Sequence, residues 1–272
     1  MTMRAIFAHL IMPWFARRSR RLHAPAGAGF VLGLAAVCLL AVSSAHATDF
    51  YEVQIYTVET APENQILAEL HTISVSNELH NTFEFTYGMT KWLEVGQYLC
   101  TATLDGEPGY QYAGARTKVH FGVPQTFDWP VQFGMNVEMQ YMRRAAVPDP
   151  LNVEVMPIVQ GHIGGFFLAG DFSFEKQFSG RGTHAGIGFE PMGEITYLVA
   201  PWLEPALEYY GDIGAVTGPT PWPDEQQFLV PAINLHLPGV LAPLEVNFGV
   251  GFGLTHAYPD STFYHGTIGW SF

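Results

Sequence analysis

Arg116, Lys118 and His120 stand at every second position of one short segment. In a β-strand that spacing places all three on one face. The segments before and after carry Glu94 and Glu138, and cross-strand neighbours lie roughly 5 Å apart, within ion-pairing reach. Strand-by-strand parity sends Glu84, Glu154, Asp171, Glu194, Glu208 and Glu245 to the same side, together with Glu175, Glu190 and Glu204. The chemistry open to such a set is charge pairing and the orientation of water and solutes in a narrow polar space, favouring cations or zwitterions. The residues form a candidate lining for a solute pathway. The alternative carries equal weight: polar groups that only satisfy one another and plug a static interior.

Bond-making chemistry finds less support. A hydrolase needs Ser and His aligned with a third polar group. His71 and Ser74 are an odd number of residues apart, hence on opposite strand faces. There is no G-x-S-x-G. Gly249, Gly251 and Gly253 are spaced two apart on a strand and do not open a helix as a dinucleotide loop does. Eight histidines remain after the leader, without an H-x-H or H-E-x-x-H pair. No catalytic residue, metal or cofactor is therefore assigned. A lipid-modifying barrel enzyme stays as an alternative, because residues distant in sequence can meet in space.

The elements that position these charges follow from the N-terminus and the hydropathy pattern. Arg17, Arg18, Arg20 and Arg21 precede an apolar run from about Gly29 to Val42, and Ala45, His46 and Ala47 form a small-residue cleavage site. This reads as a secretory signal peptide over residues 1–47. Beyond it stand 7 basic and 25 acidic residues, a formal charge of −18, which disfavours nucleic acid as a partner. Cys100 is the one cysteine after the leader, which excludes an intramolecular disulfide. No later stretch reaches about 18 consecutive apolar residues, the length of a spanning helix. Export, high hydrophobicity and no helical span together imply a transmembrane β-barrel.

Period-2 alternation supplies the strands. In 131–142, Val131, Phe133, Met135, Val137, Met139 and Tyr141 oppose Gln132, Gly134, Asn136, Glu138 and Gln140. Segment 244–255 alternates as cleanly, and 82–87 sets Phe83, Phe85 and Tyr87 against Thr82, Glu84 and Thr86. Further strands are expected at 66–76, 92–103, 110–121, 151–160, 165–176, 184–197, 203–212, 226–236 and 262–272. The expected fold is all-β, an antiparallel up-and-down barrel of about 12 strands over residues 65–272. Residues 48–64 are a periplasmic or lumen-tucked extension, since a thirteenth strand would break the even count. Pro157, Pro191, Pro205 and Pro231 fall inside strands, where proline removes a ladder hydrogen bond. They imply bulges, an irregular side to the barrel, or an open β-sandwich instead.

The last segment puts Tyr264, Ile268, Trp270 and Phe272 on one face, and this resembles the terminal strand read by the barrel-assembly machinery of Gram-negative outer membranes. The stretch 82–96, with its Tyr87-Gly88-Met89-Thr90 turn, resembles the outer-membrane family named after the phenol-degradation meta pathway, and related transporter-like barrels. That resemblance implies passage of small, often hydrophobic or aromatic solutes across the outer membrane. Lipid and the assembly machinery are the implied partners. It supplies no site residues.

Parity makes two predictions. Val137→Arg places a cation in lipid and should cost roughly 2–4 kcal/mol near the midplane, read as a lowered urea midpoint for folding into vesicles; unchanged folding would contradict the facing. Glu138→Arg, on the lumen side, is expected to leave assembly intact.

Overall fold

The computed structural model describes residues 51, 53–76, 78–103, 108–124, 129–255, 257 and 262–272. The expected leader and the first three residues of the extension lie outside that set. The strands are β1 (Ile66–Val75), β2 (Glu78–Thr90), β3 (Leu93–Thr103), β4 (Tyr110–Gly122), β5 (Val131–Met142), β6 (Leu151–Ile163) and β7 (Phe166–Gln177). They continue with β8 (Gly188–Tyr197), β9 (Leu203–Asp212), the two-residue pair β10 (Gly214–Ala215) and β11 (Gly218–Pro219), β12 (Gln226–His236), β13 (Leu244–Gly253) and β14 (Thr262–Ser271).

Each long strand pairs antiparallel with the next long strand, and β1 pairs with β14 from Leu67 opposite Ser271 to Val75 opposite Phe263. The Phe272 N–H donates to the Ile66 carbonyl at 2.8 Å. Twelve long strands thus close on themselves. The β10–β11 ribbon hangs from β8 through Ala215 opposite Gly188. The open sandwich is overturned, because a cylinder has no edge strand.

The four prolines sit where one ladder is interrupted. The β6–β7 register skips Met156 and Pro157, and the β12–β13 register skips Val230 and Pro231. The β8–β9 ladder covers only Met192 to Thr196, which leaves Pro191 just before it and Pro205 just beyond its partner Ala206. On its other side each proline is paired, opposite Met135, Phe172, Ile233 and Leu207 respectively. In an antiparallel strand, a residue's N–H and C=O face the same neighbour, so a missing N–H disturbs one ladder only. The register shifts themselves lie elsewhere, between Gly88 and Thr90 and between Cys100 and Thr101.

The outer face is apolar, with Phe133, Met139 and Tyr141 of β5 exposed while Asn136, Glu138 and Gln140 are buried. Trp92, Trp129, Tyr197 and Trp202 are exposed near the short turns joining β2–β3, β4–β5 and β8–β9, a girdle suited to a membrane–water interface. That end, where Ile66 and Phe272 also lie, is called the turn end; the opposite end carries the longer loops.

The segment preceding β1 fills part of the lumen. It passes from Tyr51, whose carbonyl accepts from Thr82 Oγ1 at 2.5 Å, to the turn end, where Glu63 makes a single parallel bridge to Gly88. Asn64, at φ 63°, then turns the chain into β1, a left-handed conformation that asparagine tolerates. Inward glycines admit this strap. A Cβ at Gly122 would stand 2.4 Å from the Val58 carbonyl oxygen, and one at Gly88 would stand 2.3 Å from that of Pro62. Gly122→Val should therefore expel the strap without opening the barrel. A glutamate-specific protease should then cut at Glu59 while the strands stay protected; equal resistance of variant and parent would refute this.

Candidate functional site

The strap divides the lumen into a packed side and an open side. On the packed side its hub is Glu138, 1 % exposed. Glu138 Oε1 accepts from the Tyr56 hydroxyl at 2.7 Å and from Asn136 Nδ2 at 2.7 Å, and Arg116 Nη1 lies 3.4 Å from Oε2. The Tyr56 and Tyr98 hydroxyls are 2.7 Å apart. The Tyr56 N–H donates to Asp171 Oδ2 at 2.8 Å, and the Val58 N–H to Gln160 Oε1 at 2.7 Å. One extended segment without a ladder of its own thus satisfies its backbone on wall side chains.

Lys118 anchors the next layer. Its ammonium pairs with Glu84 and lies 3.1 Å from Glu94 Oε1, while Glu94 Oε2 accepts from the Ala61 N–H at 2.5 Å. The residues opposite Lys118 on its two neighbours are Gly96 and Glu138. Gly96 makes the diagonal reach to Glu84 available, because a Cβ there would stand 2.8 Å from Lys118 Cγ. The rings of Tyr56 and Tyr98 flank the ammonium at 5.3 and 5.6 Å, distances at which ring quadrupoles attract a cation. His71 extends the chain of contacts: Nε2 is 3.3 Å from Glu84 Oε2, and Nδ1 is 3.1 Å from Thr267 Oγ1. This resembles a hydroxyl–imidazole–carboxylate relay. The backbone N–H groups around Thr267 are, however, committed to the β13–β14–β1 ladders, which leaves no donor pair for an oxyanion.

The open side is a cavity of about 470 Å³ between the strap and the wall of β8, β9, β12–β14 and β1, bordered also by Glu94 of β3 and by Lys118 and His120 of β4. Glu208 is buried there, accepting from the Tyr210 hydroxyl at 2.8 Å and Asn247 Nδ2 at 3.2 Å, with His265 Nε2 at 3.2 Å. Glu69, Glu194 and Glu245 also line it. At the mouth, His236 Nε2 lies 3.6 Å from Glu204 Oε2. Toward the loop end the lumen is filled by an apolar cluster that includes Val53 of the strap with Ile73, Val75, Phe228 and Phe263. A second cluster gathers Tyr98, Cys100 and Met142 around Tyr51.

The sequence-derived lining therefore separates into two groups. Glu84, Arg116, Glu138 and Asp171 are buried in the wall against or beside the strap, and Lys118 and His120, equally buried, also border the cavity. Glu154 accepts from Ser173 Oγ within the same wall. Glu194, Glu208 and Glu245 face the cavity, and Glu94 borders it. The basic ladder pairs with both flanking carboxylates, though diagonally. The tolerance expected of Glu138→Arg does not survive this geometry, since a second cation beside Arg116 would also strip Tyr56 of its acceptor. Two contributors escaped the sequence reading. Tyr56 lies 115 residues from Asp171, beyond any local pattern. Glu69 belongs to β1, whose inward face mixes Leu67, Ile73 and Val75 with Glu69 and His71, so its parity is ambiguous. Donor atoms of Glu69, His71 and Glu84 lie within 4.8 Å of one another, but Glu84 already serves Lys118, Thr86 and His71.

No protein-family model matches the chain, and no curated protein sequence does either. Solved structures do match its fold. An outer-membrane channel from Pseudomonas putida F1 aligns with TM-score 0.56 and 11% identity, covering 81% of this chain and 100% of the channel. The KdgM porin, solved in complex with disordered oligogalacturonate, aligns with TM-score 0.51 and 9% identity, over 76% of this chain and 99% of the porin. The class is thus the closed antiparallel β-barrel of porins and outer-membrane channels. The likeness of residues 82–96 to the meta-pathway family rests on those residues alone.

Lys118→Met would leave Glu84 and Glu94 buried without their cation, a loss of about 3–5 kcal/mol for one partner of a buried pair. Urea titration in micelles should show a markedly lower midpoint, and an unchanged midpoint would remove Lys118 from the framework.

Proposed function

We propose that this protein is an outer-membrane channel for small solutes, held closed in the present conformation by its own N-terminal strap. The single observation that carries the reading is the polar cavity beside the strap, which occupies lumen that a purely structural barrel would fill. The manner in which the strap is held supports displacement. It makes one bridge and a handful of hydrogen bonds to wall side chains, and no continuous ladder. The outward row Tyr264, Ile268, Trp270 and Phe272 fits a terminal strand handed to the assembly machinery, and the basic–apolar–small N-terminal pattern fits export to the outer membrane. The meta-pathway resemblance would add hydrophobic or aromatic compounds as cargo.

A second reading is a sealed structural barrel, favoured by the two apolar clusters built on Tyr51 and Val53. A reversible lock separates the two. A Cβ at Gly134 would lie 3.3 Å from Val58 Cβ, close to the roughly 3.5–4.5 Å of a disulfide. Val58→Cys with Gly134→Cys, in a Cys100→Ala background, should give no current steps in a planar bilayer when oxidised and channel-like steps after reduction. A silent wild-type protein at all voltages would establish the sealed barrel. Current through a verified disulfide would show that the strap is not the gate.

A further inference from the structure

We infer that the cavity beside the strap is a binding vestibule for small organic cations, with amine-bearing solutes as the ligand class; this rests on the channel reading for its physiological use and not for the binding itself. The argument begins with register. Glu84, Glu69, Gly269 and Glu245 stand opposite one another in a single row across β2, β1, β14 and β13, with His236 of β12 completing it. Glu84 is neutralised by Lys118. Among the described residues neither Glu69 nor Glu245 makes an ion pair, the nearest basic groups being His71, within 4.8 Å of Glu69, and His236, opposite Glu245. Between them Gly269 offers no side chain, and the Glu69 carboxylate lies over it, 3.3 Å from where a Cβ would be. The two carboxylates therefore share one open gap on the inner face of the wall.

The facing wall repeats the theme. Glu194 and Glu208 are opposite each other on β8 and β9. Glu208 has partners in Tyr210, His265 and Asn247, while Glu194 has no basic partner among the described residues. Glu59 of the strap adds another carboxylate to the lining. Lys118, the one lysine of the lining, is already held by Glu84 and Glu94, so the lining carries a surplus of acidic over basic side chains. A low-dielectric wall focuses such a surplus into the space it encloses.

An independent feature points into the same space. His120 lines the cavity, is 1 % exposed, and neither of its ring nitrogens has a hydrogen-bond partner among the described residues. Buried polar atoms are rarely left so, and an imidazole nitrogen accepts from an ammonium N–H. The volume, about 470 Å³, falls in the range of small-molecule pockets, roughly 300–1,000 Å³. The shape thus suits an ammonium-bearing molecule of several heavy atoms, with one cationic end at the Glu69–Glu245 gap and the other toward Glu194 or His120.

The test is calorimetric titration of the full-length protein in neutral detergent with 1,4-diaminobutane. Butane-1,4-diol serves as the uncharged analogue and calcium chloride as the inorganic cation. The diamine should bind, the diol should not, and binding should weaken as ionic strength rises. Glu69→Gln with Glu245→Gln should weaken binding by about tenfold or more, as expected for loss of two close charge pairs. Glu194→Gln should weaken it to a smaller extent, and Asp224→Asn, the same charge change on an outer loop, should leave it intact. Retained heat-modifiable migration in SDS gels verifies that each variant is folded. Absence of diamine binding, equal affinity in the double variant, or a preference for calcium over the diamine would overturn the inference. Binding without bilayer current would overturn the channel reading alone.

Discussion

Backbone closure governs this structure. In a lipid environment every N–H must find a carbonyl within the chain, and a sheet achieves that only by joining its first strand to its last. The β1–β14 ladder makes that join, down to the Phe272 N–H on Ile66. Closure creates an enclosed interior at the same time as it creates the apolar outer belt, because alternate residues must go to opposite faces. Polar residues at inward positions are then withdrawn from bulk water and have to be satisfied by one another or by something brought in.

The strap is what is brought in. Twelve strands enclose more space than side chains of the wall fill; residues 56–64 lie against β2 to β7, while Val53 and Ile55 pack on the cluster from β1, β9, β12 and β14. The contacts are reciprocal. Asp171, Gln160 and Glu94 accept strap N–H groups that would otherwise be orphaned, and Tyr56 serves Glu138, which also holds Arg116. Lys118 sits between Glu84 and Glu94 under two tyrosine rings. Removing one member leaves several buried groups unsatisfied, so this half of the lumen holds or releases the strap as a unit.

The other half is only partly filled, by Val53 toward its loop end. Its carboxylates outnumber its cations, Gly269 offers no side chain in its lining, and two of the three ladders interrupted by proline, β8–β9 and β12–β13, belong to it. Space, negative charge and weakened pairing therefore coincide on one side of the barrel. That asymmetry is the physical basis for locating solute contact there and strap anchorage opposite.

Much of the fold was legible in local pattern. The bounds of β5, β9 and β12 coincide with their alternating segments, since a half-buried strand writes its two faces directly into every second residue. The prolines told of an irregular side, and the basic face of β4 told of carboxylates on its neighbours. β1 was less readable: Ile73 and Val75 point inward because Val53 of the strap makes an apolar environment there, and this hid the parity of Glu69. The inward Gly88, Gly122 and Gly134 were a signal of close backbone approach, but not of which segment approached. By itself the sequence determined a twelve-stranded barrel with an acid-rich interior, because facing is a local, period-2 property. Only the tertiary structure decided that the strap takes one half of the lumen and leaves a carboxylate-lined cavity in the other, because those choices depend on contacts between residues a hundred positions apart.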